Sequence, residues 1–187
     1  MLSDFIERYH EATIGATQST YLELRVAAGV FRLYYVDKVE FRLKSGTHGP
    51  LAHYSQHPLL VDYQQPYATV YITSPASNPD GLWQDIAQAV TRASDNWRSV
   101  DSYLLQWRHG ADRWAVVKQN LVDGRGLLVE AAPLAIAEAV VEACTRHGTT
   151  TSVLAAQEPR LNPVPPFGVL FIGPCYVVAR GFKIQSL

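Results

Sequence analysis

The chain has 187 residues, 48% hydrophobic and 18% charged, with 16 Lys+Arg against 17 Asp+Glu and a formal charge of −1. That length buries a core in one domain or two small ones. The near-neutral balance argues against binding double-stranded nucleic acid by bulk charge, and the hydrophobic content is too high for a disordered chain.

No stretch approaches the roughly 18 to 20 apolar residues of a membrane-spanning helix. The start, Met1 to Arg8, is polar and mixed in charge, without the basic-then-apolar order of a secretory signal. The expectation is a soluble, cytoplasmic protein. Its two cysteines, Cys144 and Cys175, sit far apart in apolar segments. They are too few for a disulfide framework and read as buried free thiols.

Taken in chain order, Ser3 to Ile14 reads as a helix. Ser3 is a fair cap, Asp4 and Glu7 lie in the first turn, Phe5, Ile6, Tyr9 and Thr13 form a stripe, and Gly15 is placed to end it. From Tyr21 to Lys44 the period changes to two. Leu22, Leu24 and Val26, then Phe31, Leu33 and Tyr35, then Val39, Phe41 and Leu43 alternate with polar neighbours. Three such runs read as an antiparallel meander with one buried face. A tight Ala28-Gly29 loop sets Val26 opposite Phe31 and Arg25 opposite Arg32. A three-residue loop at Val36 to Lys38 sets Arg32 opposite Arg42. The outward face would then carry Glu23, Tyr34 and Glu40 beside Arg25, Arg32 and Arg42.

Ser45 to Pro66 is expected to be irregular, and loops of that length are functional or mobile more often than not. A strand at Tyr67 to Thr73 leads to a helix opened by Asn78-Pro79-Asp80, with Leu82, Ile86, Ala89, Val90 and Ala93 on its apolar stripe. A second, shorter helix is expected over Val100 to His109. Arg113 to Leu121 reads as a strand, with helix as the alternative, and Asp123 to Gly126 as a turn. A strand at Leu127 to Ala131 and a helix from Pro133 to His147 follow. Thr149 to Ala156 reads as a strand and Glu158 to Pro166 as an extended connection. Phe167 to Ile172 and Cys175 to Lys183 form a closing hairpin around Gly173-Pro174. This order predicts an α+β fold: an N-terminal helix, a three-stranded antiparallel meander, then mixed strands with two main amphipathic helices packed on one sheet face. One domain over 1–187 is expected, with a weak subdivision near 110.

Two groups of side chains could carry chemistry. Arg25, Arg32 and Arg42, with Tyr34, would form a row whose guanidinium groups fork onto carboxylates or phosphates; alternatively, Glu7, Glu11, Glu23 and Glu40 neutralise them within the chain. His48, His53 and His57 lie within ten residues. If Gly49-Pro50 opened a helical turn, His53 and His57 would share a face and could hold zinc, with His48 or Asp62 as third ligand. The zincin pattern is broken by Tyr54, and solvated loop histidines are the alternative. Asp123 to Gly126 lacks the lysine and spacing of a phosphate loop. Cys144, with His147 three residues on, would lie at the negative end of its helix, where a thiol is not activated.

The reading favours a non-enzymatic binding or protein-interaction module, with a small anionic ligand or a protein partner on the meander face. A metal-dependent, hydrolase-like enzyme using His48, His53 and His57, with zinc as the candidate metal and otherwise no cofactor expected, is one alternative. A structural subunit of a larger assembly, homo-oligomeric or mixed, is the other.

Overall fold

The computed structural model describes residues 1–104, 112–159 and 166–187, with the side chains of 156–159 left aside. In chain order the elements are α1 (Leu2–Tyr9), β1 (Glu11–Thr17), β2 (Tyr21–Val26), β3 (Gly29–Val36), β4 (Glu40–Arg42), β5 (His48–Tyr54), a 3-10 turn (Pro58–Leu60) and α2 (Val61–Gln64). They continue with β6 (Pro66–Ile72), α3 (Pro79–Ala93), a second 3-10 turn (Val100–Tyr103), α4 (Arg113–Asp123), β7 (Gly126–Pro133) and α5 (Leu134–Arg146). The last four strands are β8 (Thr151–Pro159), β9 (Gly168–Ile172), β10 (Cys175–Ala179) and β11 (Gly181–Ser186). The α+β class expected from the sequence is the class observed.

The chain forms two compact units, Met1–Leu60 with Pro163–Leu187, and Val61–Asn162.

In the first unit the strands run in the order β11-β3-β2-β1-β5-β9-β10-β4, with neighbours antiparallel. Both ends of that row belong to one long pair. β3 leads into β4 through residues 37–39, and β10 leads into β11 through Arg180. β11 pairs with β3 and β10 with β4, and the Val39 N–H to Val178 carbonyl and Arg180 N–H to Val36 carbonyl bonds, each 3.0 Å, carry the ladder across the bend. The sheet therefore closes on itself as a barrel, which leaves no free edge along that seam. Ala12, Ile14, Leu22, Leu24, Leu33, Leu51, Leu170, Ile172 and Val177 fill its interior, and Phe5 of α1 belongs to the same cluster.

Several expectations change here. The first helix ends at Tyr9 because His10 adopts φ 53°, and Glu11 to Thr17 form a strand. Gly15 does not stop a helix. It lies within β1, where a Cβ would come within 3.0 Å of the Glu23 Cβ. The β2–β3 hairpin pairs Val26 with Gly29, so Phe31 faces Leu24 and Arg32 faces Glu23. The predicted register was two residues out. An even slip keeps every side chain on its face, and placing Arg32 opposite a carboxylate rather than another arginine is the favourable choice. The third meander strand does not pair with the second, since Asp37, at φ 49°, turns β4 onto β10. The stretch expected to be irregular contains β5, which pairs with β1 through residues 48–50 and with β9 through residues 51–54.

The second unit is a three-stranded antiparallel sheet, β7-β6-β8. α3 and α5 pack against it and each other through Leu82, Ile86, Val90, Ile136, Val140 and Cys144, with Val70 and Val129 contributed by the sheet. Asn78 caps α3 by accepting from the Gly81 N–H at 3.0 Å, with Pro79 in the first turn, as the sequence implied. Residues 113–121 are helical, not extended. The Asp112 carboxylate accepts from the N–H groups of Trp114 (3.0 Å) and Ala115 (3.3 Å), and Gly124 ends the helix in the left-handed region at φ 67°. The helix expected over Val100 to His109 is a 3-10 turn over Val100–Tyr103; its second half lies outside the described residues, as does most of the Glu158 to Pro166 connection.

Gly49 and Gly173 meet where β5 crosses the β9–β10 turn. A Cβ on Gly49 would sit 2.6 Å from the Gly173 Cα, a backbone atom that cannot swing aside. Gly49→Ala is expected to lower the stability of the barrel unit by about 1–3 kcal/mol, read as an earlier urea midpoint. An unchanged midpoint would refute the tight crossing.

Candidate functional site

Alternation along β2 and β3 sends Leu22, Leu24 and Leu33 into the barrel and Tyr21, Glu23, Arg25, Arg32 and Tyr34 outward. Arg32 is directly opposite Glu23, and Tyr34 is opposite Tyr21 on one side and Lys183 of β11 on the other. Arg25 faces Val30 and Thr13. The structure thus brings together Arg25, Arg32 and Tyr34. Arg42 is not among them: it is paired with Tyr176 on β4, on the far side of the bend at Asp37.

The Arg32 guanidinium lies 5.0 Å from the centre of the Tyr21 ring, and Tyr21 in turn packs against Tyr34 with ring centres 5.6 Å apart and planes tilted by 50°. The Arg32 Nε is buried and has no hydrogen-bond partner among the described residues. Neither Arg25 nor Arg32 forms an ion pair within 4.0 Å among the described residues. The acidic groups that could neutralise them are partly engaged elsewhere: the Glu40 carboxylate accepts from the Tyr176 hydroxyl at 2.7 Å, and Glu11 lies 3.4 Å from His48. A buried guanidinium N–H with no acceptor costs stability, and the forked, always-charged group presented beside it is suited to a carboxylate or phosphate oxygen.

The three histidines lie apart in orientation. His48 and His53 are both on β5, separated by five residues and so on opposite faces. His48 is outward, 3.0 Å from the Thr13 hydroxyl, whereas His53 is opposite Leu170, a residue of the barrel interior. His57 follows the strand and accepts from the Leu59 N–H at 3.1 Å. The helical turn that would have aligned His53 with His57 is replaced by extended chain, because β5 is hydrogen-bonded into the barrel on both sides. Among the described residues no three His, Cys, Asp or Glu side chains are grouped to hold a metal ion.

Asp62, the alternative third ligand, has both carboxylate oxygens occupied. One accepts from Arg98 Nε at 2.5 Å and the other from the Tyr103 hydroxyl at 2.9 Å, which ties α2 to the second 3-10 turn. Burial, reinforced by the Asp62 charge, pushes the Tyr103 phenol well above its ordinary range. Asp62 and Arg98 lie 36 residues apart, so spacing along the chain gave no sign of the pair. The Asp85 carboxylate, held below its ordinary range chiefly by its hydrogen bond to His147, joins α3 to the end of α5 at 2.9 Å.

No model of a known protein family, no curated protein and no solved structure matches the chain. Among the described residues no helix is long and apolar enough to cross a membrane.

Both cysteines are free and buried, as the sequence implied, and burial pushes the Cys144 thiol up to about 11. At pH 8 the native protein is therefore expected to resist alkylation of Cys144, with labelling appearing only on unfolding. Fast labelling of the folded protein at Cys144 would contradict this packing of α5.

Proposed function

We propose that this protein is a non-enzymatic binding module that takes an anionic group on the outward face of β2 and β3. The single observation that carries the reading is Arg32: its Nε is buried without a hydrogen-bond partner among the described residues, while its guanidinium is stacked over Tyr21. A bound carboxylate or phosphate would supply the missing acceptor. Arg25 adds a second, exposed positive charge on the same face, and Tyr34 props the Tyr21 ring. Glu23, opposite Arg32, moderates the charge and favours a small anion, or one acidic side chain of a protein partner, over an extended polyanion.

Arg32→Met keeps an aliphatic stem over Tyr21 and removes the buried donor. It is expected to weaken binding of inorganic phosphate or of a short acidic peptide by about tenfold or more, the scale of a hydrogen bond to a charged group. Its thermal midpoint should stay the same or rise, because a buried N–H without an acceptor has been deleted. Titration calorimetry and a thermal melt read the two effects. A variant that unfolds, or that binds like the wild type, would make the arginine structural and overturn the proposal.

A further inference from the structure

The barrel interior is filled by branched aliphatic side chains except at one level. On β9 the inward positions are Ile172, Leu170 and Gly168, and on β10 they are Cys175, Val177 and Ala179. Gly168 and Ala179 are directly opposite each other, so the two smallest side chains of these rows coincide where the packing rule for barrel interiors calls for bulk. A cavity of about 310 Å³ opens at this level. The start of α1, from Met1 to Ser3, forms one wall, with Phe167, Phe182 and His53 among the others.

His53 is the second anomaly at this level. His53 follows Leu51 by two residues and so shares its side of β5, opposite Leu170, but unlike Leu51 it is exposed, at the mouth of the barrel. It leans over Gly168: a Cβ there would come within 2.6 Å of its Nε2. Its ring sits edge-on to Phe182, with centroids 5.5 Å apart and planes at 81°. The imidazole makes no hydrogen bond to a described residue. Partial burial draws its pKa below the ordinary value. At the rim, the Arg180 guanidinium lies over the Phe167 ring at 4.9 Å, with the Asp37 carboxylate 3.8 Å from its Nε.

Apolar walls with a few converging polar groups are the pattern of small-molecule sites, and this volume is at the small end of their range. We propose that the barrel mouth is a binding site for a small aromatic carboxylic acid. The ring would lie between Phe182 and Phe167 beside Ala179, with the carboxylate toward His53, which covers Gly168, and toward the positive charge of Arg180. This site is at the barrel mouth and separate from the outward face of β2 and β3, so either can hold without the other.

The test uses the full chain, labelled with nitrogen-15, and phenylacetate as the probe, titrated to about 10 mM to reach weak, fragment-like affinities. Saturable shifts of the Gly168, Ala179 and Gly181 amides are expected. 2-Phenylethylamine, with the charge reversed, should bind at least about tenfold more weakly. Leu2→Trp, which fills the space from the α1 side, should remove the response. Ala179→Val should reduce it, and serves if the tryptophan variant fails to fold. Absence of saturable shifts at these amides, an equal response to the amine, or full binding by a folded filling variant would each overturn the proposal.

Discussion

The first unit depends on the ladder between residues 29–42 and 175–186, which closes the sheet. Its partners are separated by most of the chain, so the N-terminal strands remain an open sheet until the C-terminal segment arrives. Loop closure over such a distance is an entropic cost met before the contacts it permits. The return is a shared interior for Leu22, Leu24, Leu33, Leu170 and Val177, and burial of apolar area at roughly 25 cal/mol per Å² is the main favourable term. Bends at Asp37 and Arg180 let two strands each serve two stretches of the circumference. In chain order the second unit, built on β6 and its two packed helices, comes after the 3-10 turn at Pro58–Leu60 and before β9.

Closure also underlies the two proposed sites. Every barrel strand has an inward and an outward row. The outward row of β2 and β3 carries arginines and tyrosines, whereas the inward rows carry aliphatic residues until the level of Gly168 and Ala179. Arg32 and His53 are both polar groups with hydrogen-bonding capacity the fold does not use: one N–H buried without a partner among the described residues, one imidazole at the barrel mouth beside Phe182. Natural sequences concentrate such departures from local rules at functional positions.

Much of this was legible from the residues. Alternation over Tyr21 to Tyr35 placed Arg25, Arg32 and Tyr34 outward correctly, because parity survives an even slip of register. It could not choose between pairing Arg32 with Arg25 or with Glu23. Nor could it foresee that Phe41 would face Val177, 136 positions away on the chain, which is what removes Arg42 from the arginine row. The boundary at His10 escaped detection because Glu11 to Ile14 continues a helical stripe, and only the left-handed backbone of His10 breaks it. Residues 113–121, read as a strand with helix as the alternative, are helical; the decisive signal is Asp112 as an N-cap with Gly124 as a stop. β5 was hidden by its glycine and proline, although the glycine is what permits the close crossing at Gly173.

The most direct measurement of this architecture is native-state hydrogen exchange at the two amides that carry the ladder across its bends, Val39 and Arg180, whose carbonyl partners are Val178 and Val36. A closed barrel predicts that both exchange only with opening of the whole unit, as slowly as the amides of β2. Exchange at the rate of exposed loop amides would mean that the seam is open, and that the chain forms a sheet with two free edges rather than a barrel.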